Sequence, residues 1–261
     1  MSLSKNDFDD LRYAKSLLEN PSLAARMSNL LGTPIEKGFK HLPAKWRGLV
    51  QKATEKSLEK ALNFAIQTMN DRTRPASSDK AHKMLVVATG AGGGSFGLPA
   101  LTIELPLTTA IMLRSIADIA RSEGEQINLL ETKLACLEVF ALGGTSKRDD
   151  GTETGYFIVR AALARTISDA TKYIAEKGLA REGAPALVKF IATLASRFGI
   201  IVSEKVAAQA IPLIGAAGGA LINTIFIDHF QNMARGHFII RRLERLYGKD
   251  LIRQEYDKID V

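Results

Sequence analysis

A few acidic and imidazole side chains stand in apolar surroundings. Glu104 lies in Leu-Thr-Ile-Glu-Leu-Pro, Glu138 in Ala-Cys-Leu-Glu-Val-Phe, Asp228 and His229 in Ile-Phe-Ile-Asp-His-Phe, and His237 eight residues further on. Burying an unpaired carboxylate is expensive, so each group must be paired, protonated or bound to something. One solution is structural: ion pairs along the same helices, for which Arg114 and Asp118 (i,i+4), Asp118 and Arg121 (i,i+3), and His237 and Arg241 (i,i+4) have the right spacing. The other is chemical: Glu104, Glu138 and Asp228 approach His229 or His237 to hold a metal or activate a water, as a metal-dependent hydrolase would. No H-x-x-x-H, H-E-x-x-H or E-x-x-H pair supports the second arrangement.

Other motifs tempt and fail. Gly92-Gly-Gly94-Ser-Phe-Gly97 satisfies G-x-G-x-x-G. A dinucleotide site also needs a second strand carrying an acidic residue about 20 positions on, and that region reads as the helix Ser115-Ile-Ala-Asp-Ile-Ala-Arg121. No Lys-Ser/Thr follows the glycines, so a Walker loop is excluded. Asp149-Asp150-Gly151-Thr-Glu153 lacks the alternating oxygens and distal Glu of a calcium loop. Cys136, the single cysteine, sits in an apolar helix and reads as an inert core thiol. His41 and His82 lie in polar stretches. No cofactor is expected.

The elements that position these residues read almost throughout with a helical period. Residues 6–19 are amphipathic, Asn20 and Pro21 start a helix to Leu31, and Pro43–Met69 repeats apolar residues at steps of three and four. Arg74 to Lys80 is a linker. Helices are then expected over 107–123, 126–142, 156–177 with Gly178 as the stop, 185–210, and from 212 towards the end. No set of alternating β-branched runs predicts a sheet. The expectation is an all-α, single-domain helical bundle, with residues 1–74 as a basic helical arm packed on a main domain over 80–261.

Two glycine-rich apolar stretches, Met84–Ile103 and Val206–Ile227, carry no charge and approach the length of about 20 residues that spans a bilayer. Gly90, Gly92, Gly93, Gly94, Gly97 and Pro99 interrupt the first; Gln209, Pro212 and Asn223 interrupt the second. They therefore read as central helices whose small residues let backbones approach closely. A bulky residue at Gly93 or Gly218 is expected to be destructive. At an offset of 124 residues Gly94, Glu104, Arg121 and Gly124 fall on Gly218, Asp228, Arg245 and Gly248, a weak internal echo.

The 261 residues are 46% hydrophobic and 24% charged, with mean hydropathy +0.01. That composition excludes a disordered, collagen-like or polytopic membrane chain, and one cysteine excludes a cystine scaffold. No apolar leader is visible at the start, so the expected compartment is the cytoplasm. Net charge is +7, and residues 1–83 hold 15 basic against 9 acidic groups. Lys45, Arg47, Lys52, Lys56 and Lys60, then Arg72, Arg74, Lys80 and Lys83, suit an anionic lipid surface, with Glu55 and Glu59 neutralising part of the field. No helix-turn-helix, zinc finger or aromatic RNA-reading motif appears, so nucleic acid is not an expected partner.

Several of these stretches resemble one family. They are the run from Gly90 to Thr109 containing Gly-Ala-Gly-Gly-Gly-Ser-Phe-Gly-Leu-Pro, then Leu113-Arg-Ser-Ile-Ala-Asp-Ile-Ala-Arg-Ser-Glu-Gly124, and Leu134-Ala-Cys-Leu-Glu-Val-Phe-Ala-Leu-Gly143. Ile211-Pro-Leu-Ile-Gly-Ala-Ala-Gly-Gly219, Asp228-His-Phe230 and Ala234-Arg-Gly-His-Phe238 complete the set. In that order, from about Trp46 to Gly248, the chain resembles the EcsC protein family. The resemblance implies a bacterial cytoplasmic protein at or near the inner face of a membrane, since the founding member is encoded beside an ABC transporter. It assigns no catalytic residue. The expected function is a non-enzymatic protein associating peripherally with membrane or lipid, accessory to an envelope or transport process, with a membrane transporter or envelope protein as partner. The alternatives are the metal-dependent hydrolase and an adaptor that binds through exposed apolar helix faces.

Overall fold

The computed structural model describes residues 3–19, 23–31, 44–69, 98–144, 155–178, 184–209 and 215–260. Among them run nine α-helices and no strand. These are α1 (Lys5–Leu18), α2 (Leu23–Leu31), α3 (Ala44–Thr68), α4 (Leu98–Ser122), α5 (Leu130–Glu138, continued by a 3-10 turn Val139–Ala141), α6 (Gly155–Lys177), α7 (Pro185–Gln209), α8 (Gly215–Tyr247) and α9 (Lys249–Asp257). The protein is an all-α helical bundle.

Local chemistry sets the helix ends. Ser4 caps α1 by accepting the Asp7 N–H at 3.2 Å, one of the orphan donors of a first turn. The Gly178 N–H donates to the Ile174 carbonyl at 2.9 Å and closes α6, as the composition predicts. Gly124 and Gly248, the two glycines related by the 124-residue offset, both adopt left-handed backbone, with φ of 78° and 88°. Each follows a long helix and takes the conformation that costs glycine least.

Two expected starts move. The helix expected over 107–123 begins instead at Leu98 and carries Pro106 inside it. An interior proline costs about 3 kcal/mol; burial of Leu105, Thr108, Thr109 and Met112 against neighbouring helices outweighs it. The helix expected over 126–142 starts at Leu130 instead, because Gln126 to Leu129 close a turn in which the Leu129 N–H donates to the Gln126 carbonyl at 3.0 Å.

The 33-residue α8 is the axis of the bundle: α1, α2, α4, α7 and α9 all pack on it. α3 lies across α4 and α7 and buries Val50, Ala53, Leu58, Ala61, Leu62 and Ala65. Phe140, Phe198, Phe226 and Phe230 meet ring to ring at 5.0–6.3 Å between centroids, in tilted and edge contacts with Phe198 and Phe226 stacked, arrangements that aromatic quadrupoles favour. Where α1 crosses α8, Gly236 lets the backbones meet: a Cβ there would lie 2.6 Å from Leu18 Cγ and 3.0 Å from the Ala14 carbonyl oxygen. Among the described residues α7 is long and apolar enough to cross a membrane. Its Phe190, Leu194, Phe198, Ile201 and Val202 are buried in the bundle core. The linker 74–80, the glycines 90–97, His41, His82 and the acidic loop 149–153 lie outside the described residues, as does the Gly93 expectation, and nothing is described of the surroundings of Gly218.

Candidate functional site

The polar residues singled out by their apolar neighbours do not form one cluster. Glu104, Glu138, His229 and His237 are buried, as their surroundings predict, and Asp228 and Arg241 are half-buried. Arg114 is exposed, its guanidinium 5.6 Å from the Phe64 ring centroid. Asp118 and Arg121 form the expected i,i+3 pair at 2.9 Å, on the half-exposed face of α4. These three are therefore not part of a buried cluster: the helical period turns their side of α4 towards solvent while Leu113, Ile116, Ala117 and Ala120 face the core.

The first buried group joins three helices at one end of the bundle. Glu104 of α4 accepts from Lys205 Nζ of α7 at 2.7 Å and from Asn223 Nδ2 of α8 at 3.3 Å. The Lys205 ammonium stands 4.9 Å from the Phe226 ring centroid and is fully buried. Burial lowers its pKa and the Glu104 charge opposes that shift.

The second group lies 14 residues along α8 from Asn223, about 21 Å at 1.5 Å per residue. His237 Nδ1 is 3.0 Å from the Tyr156 hydroxyl on α6, and its Nε2 is 3.9 Å from Glu138 Oε2 on α5. Arg160 grips Glu244 at 2.8 and 3.0 Å. Arg241 grips Glu125 at 2.8 and 3.3 Å, with Arg245 on the same carboxylate. The expected partner for Arg241 was His237; Glu125 takes it instead, because a carboxylate answers the guanidinium's charge and a neutral ring does not. Burial pushes the Glu138 carboxyl up to about 7, with Arg160 and Arg241 holding it back. Burial pushes His237 well below its ordinary value, and the same two guanidiniums add to that shift.

His229 occupies a third place, where α8 meets the 3-10 turn. Burial takes its pKa down to about 4, Arg26 adds to the shift, and a hydrogen bond to the Leu142 backbone opposes it. Gly143, left-handed at φ +74°, packs directly on the ring: a Cβ there would lie 2.5 Å from His229 Cε1.

Separation decides the chemistry. Among the described residues no three His, Cys, Asp or Glu side chains converge in a way that would hold a metal ion. Glu104 and Glu138 serve different groups, and His229 packs at the third place. Cys136 is fully buried and burial raises its thiol pKa, so it is a poor nucleophile.

Sequence reading missed Lys205, Asn223, Tyr156, Arg160, Glu244 and Glu125. For Lys205 a signal existed: with Glu204 it interrupts an apolar run from Phe198 to Ala208, as Glu104 interrupts its own. Arg160 carries the same signal, standing in Tyr156-Phe-Ile-Val-Arg-Ala-Ala-Leu163, whereas Glu244 and Glu125 sit in charged, solvent-like stretches and no local signal marks them.

That same end of the bundle has an unusual surface. Over the described residues 98–113 the sole charged residue is Glu104, and over 198–209 and 215–227 the sole charges are Glu204 and Lys205. The fold buries all three. Beside them Ile103 is 77% exposed, Leu107 51% and Leu221 41%, and Ile103 and Leu107 share one face of α4. α3 runs to the same level, since Gly199 of α7 meets Gln51 and Thr54. Lys52, Lys56 and Lys60 of α3 are exposed, while its apolar face is occupied by the core. The side chains of Lys45 and Arg47 lie outside the described residues.

Comparison with known proteins adds one finding. The family model for the EcsC protein family matches residues 15–243, starting inside α1 and so including helices before Trp46, where the resemblance in sequence was expected to begin. No curated protein and no solved structure matches the chain.

Proposed function

The chain belongs to the EcsC protein family, and from that premise we propose that it is a non-enzymatic helical protein seated peripherally on a membrane, accessory to an envelope or transport process. The observation that carries this reading is the end of the bundle where charge is either absent from the sequence or turned inward while Ile103, Leu107 and Leu221 face out. Grouped exposed apolar side chains mark an interaction surface, and the exposed Lys52, Lys56 and Lys60 of α3, which packs on α4, favour an anionic partner. Anionic lipid headgroups over an acyl layer supply both. In this reading α3 contributes its lysines alone, because its apolar stripe is committed to the core. The protein therefore rests on the lipid through the tip of α4 and the start of α8 while its helices stay packed.

Flotation with vesicles of mixed neutral and anionic lipid tests this. The protein is expected to float at low salt and to detach as salt rises. Ile103→Asp combined with Leu107→Asp, and separately Lys52→Glu with Lys56→Glu, are expected to reduce flotation without altering helical content. Failure of the unaltered chain to float at low salt would end the proposal.

A further inference from the structure

The chain of side chains Glu138, His237 and Tyr156 plays no part in the membrane reading and does not depend on it. Each comes from a different helix, α5, α8 and α6, and all three are buried. The Tyr156 hydroxyl is 3.0 Å from His237 Nδ1, where the ring's tautomer decides which atom donates. On the other side Nε2 makes no hydrogen bond of its own, and the Glu138 carboxylate, 3.9 Å away, is placed to supply one.

Two cations face this chain, Arg160 from α6 and Arg241 from α8, and each already has a carboxylate, Glu244 and Glu125. The remaining neighbours add little charge. Glu131 of α5 is 73% exposed and reaches only Arg241. α3 meets α5 through Lys133, which donates to the Ile66 carbonyl. α1 presents Ala14 and Leu18 to this stretch of α8 and turns Lys15 towards α9. Arg241 shares Glu125 with the exposed Arg245, and both guanidiniums facing Glu138 are engaged by other carboxylates, so an ionised Glu138 beside a neutral ring adds a negative charge that they only partly offset. A protonated Glu138 adds none.

We infer that Glu138 and His237 bind one exchangeable proton as a unit, and that its presence or absence sets which ring nitrogen of His237 carries hydrogen and which way the bond to Tyr156 runs. With the proton bound, the Glu138 carboxyl O–H donates to Nε2 and Nδ1–H donates to the Tyr156 oxygen. On its loss the carboxyl hydrogen passes to Nε2, the Nδ1 hydrogen is released to water, Nε2–H donates to the carboxylate, and Nδ1 accepts from the Tyr156 hydroxyl. In both states Nε2 and the facing Glu138 oxygen form a matched donor and acceptor, as do Nδ1 and the Tyr156 oxygen, and closing the 3.9 Å gap to Glu138 takes a movement of about 1 Å. Burial places the Glu138 carboxyl near 7 and keeps the ring uncharged in both states. The result is a proton-sensitive joint between α5, α6 and α8.

Nitrogen NMR of the full chain with labelled histidine tests it, His237 being identified by the shift that Tyr156→Phe produces. Between about pH 6 and about pH 8 the two His237 nitrogens are expected to exchange protonated and bare character in one transition, with no imidazolium. Glu138→Gln should abolish the transition and hold the hydrogen on Nδ1, because the amide donates to Nε2. A single fixed tautomer across the range, an ordinary cationic titration, or a transition that persists in Glu138→Gln would each overturn the inference. Should that variant not fold, infrared spectra of the unaltered chain decide: a buried carboxylic acid band lost as pH rises through 7 supports it, and absence of the band overturns it.

Discussion

Lys205 Nζ lies 2.7 Å from the Glu104 carboxylate, and neither side chain reaches solvent to any useful extent. The pair links α7 to α4, with Asn223 bringing in α8. Removing one member of a buried pair leaves the other charge stranded, at a cost of about 3–5 kcal/mol, whereas replacing both with apolar side chains of similar volume is often close to neutral. Lys205→Met and Glu104→Leu should each be strongly destabilising by urea unfolding, and the double variant should recover most of the loss. Additive losses in the double variant would contradict the pairing.

Stability should depend on pH through buried groups of opposite sign. The His229 value falls from 6.5 to about 4 on folding, so its contribution is fully present above 6.5 and is lost as pH falls through that window to 4. The expected loss is about 3 kcal/mol. The Glu138 value rises from 4.5 to about 7, so its contribution is present below 4.5 and is lost as pH rises to 7. Unfolding midpoints measured from pH 4.5 to 8 should show His229→Gln less sensitive to acid than the parent. Glu138→Gln should gain relative stability towards pH 8. Parallel curves for all three proteins would rule out this assignment.

Two left-handed glycines should respond differently to alanine. At Gly248 nothing lies within 4 Å of an added Cβ, so only backbone strain applies, about 1 kcal/mol. At Gly143 the same strain is joined by a clash with the His229 ring and Met233 Sδ, and the cost should exceed that of Gly248→Ala by about 1–3 kcal/mol. Thermal unfolding of the two variants side by side is sufficient to check the order.

Lys15 anchors the C-terminal helix. Its ammonium donates to the Tyr256 and Ile259 carbonyls at 2.9 and 2.8 Å and stands 4.8 Å from the Tyr256 ring centroid, satisfying acceptors that the end of α9 leaves open. Lys15→Met should raise amide exchange over 249–259 while leaving the protection of α4 and α8 intact. Uniform loss across the chain would show that the contact serves global stability instead.

Helix content, most helix ends and the burial of Glu104, Glu138 and His237 follow from sequence alone, because each depends on neighbours within one or two turns. The steps of three and four in α3, the stop at Gly178 and the apolar frames around the two glutamates are local facts. The family, too, was legible in the order of the quoted motifs. What the tertiary structure decided was who meets whom. Glu104 finds Lys205 across 101 residues and Asn223 across 119, and Tyr156 finds His237 across 81. A sequence specifies which face of a helix turns inward, but the partner on the opposite face depends on how two helices cross and at what height, and that is settled by packing all the helices around α8 at once. For the same reason the acidic and imidazole residues, which the sequence left open as ion pairs or as one cluster, separate into distinct groups in space, about 21 Å apart along α8 between Asn223 and His237.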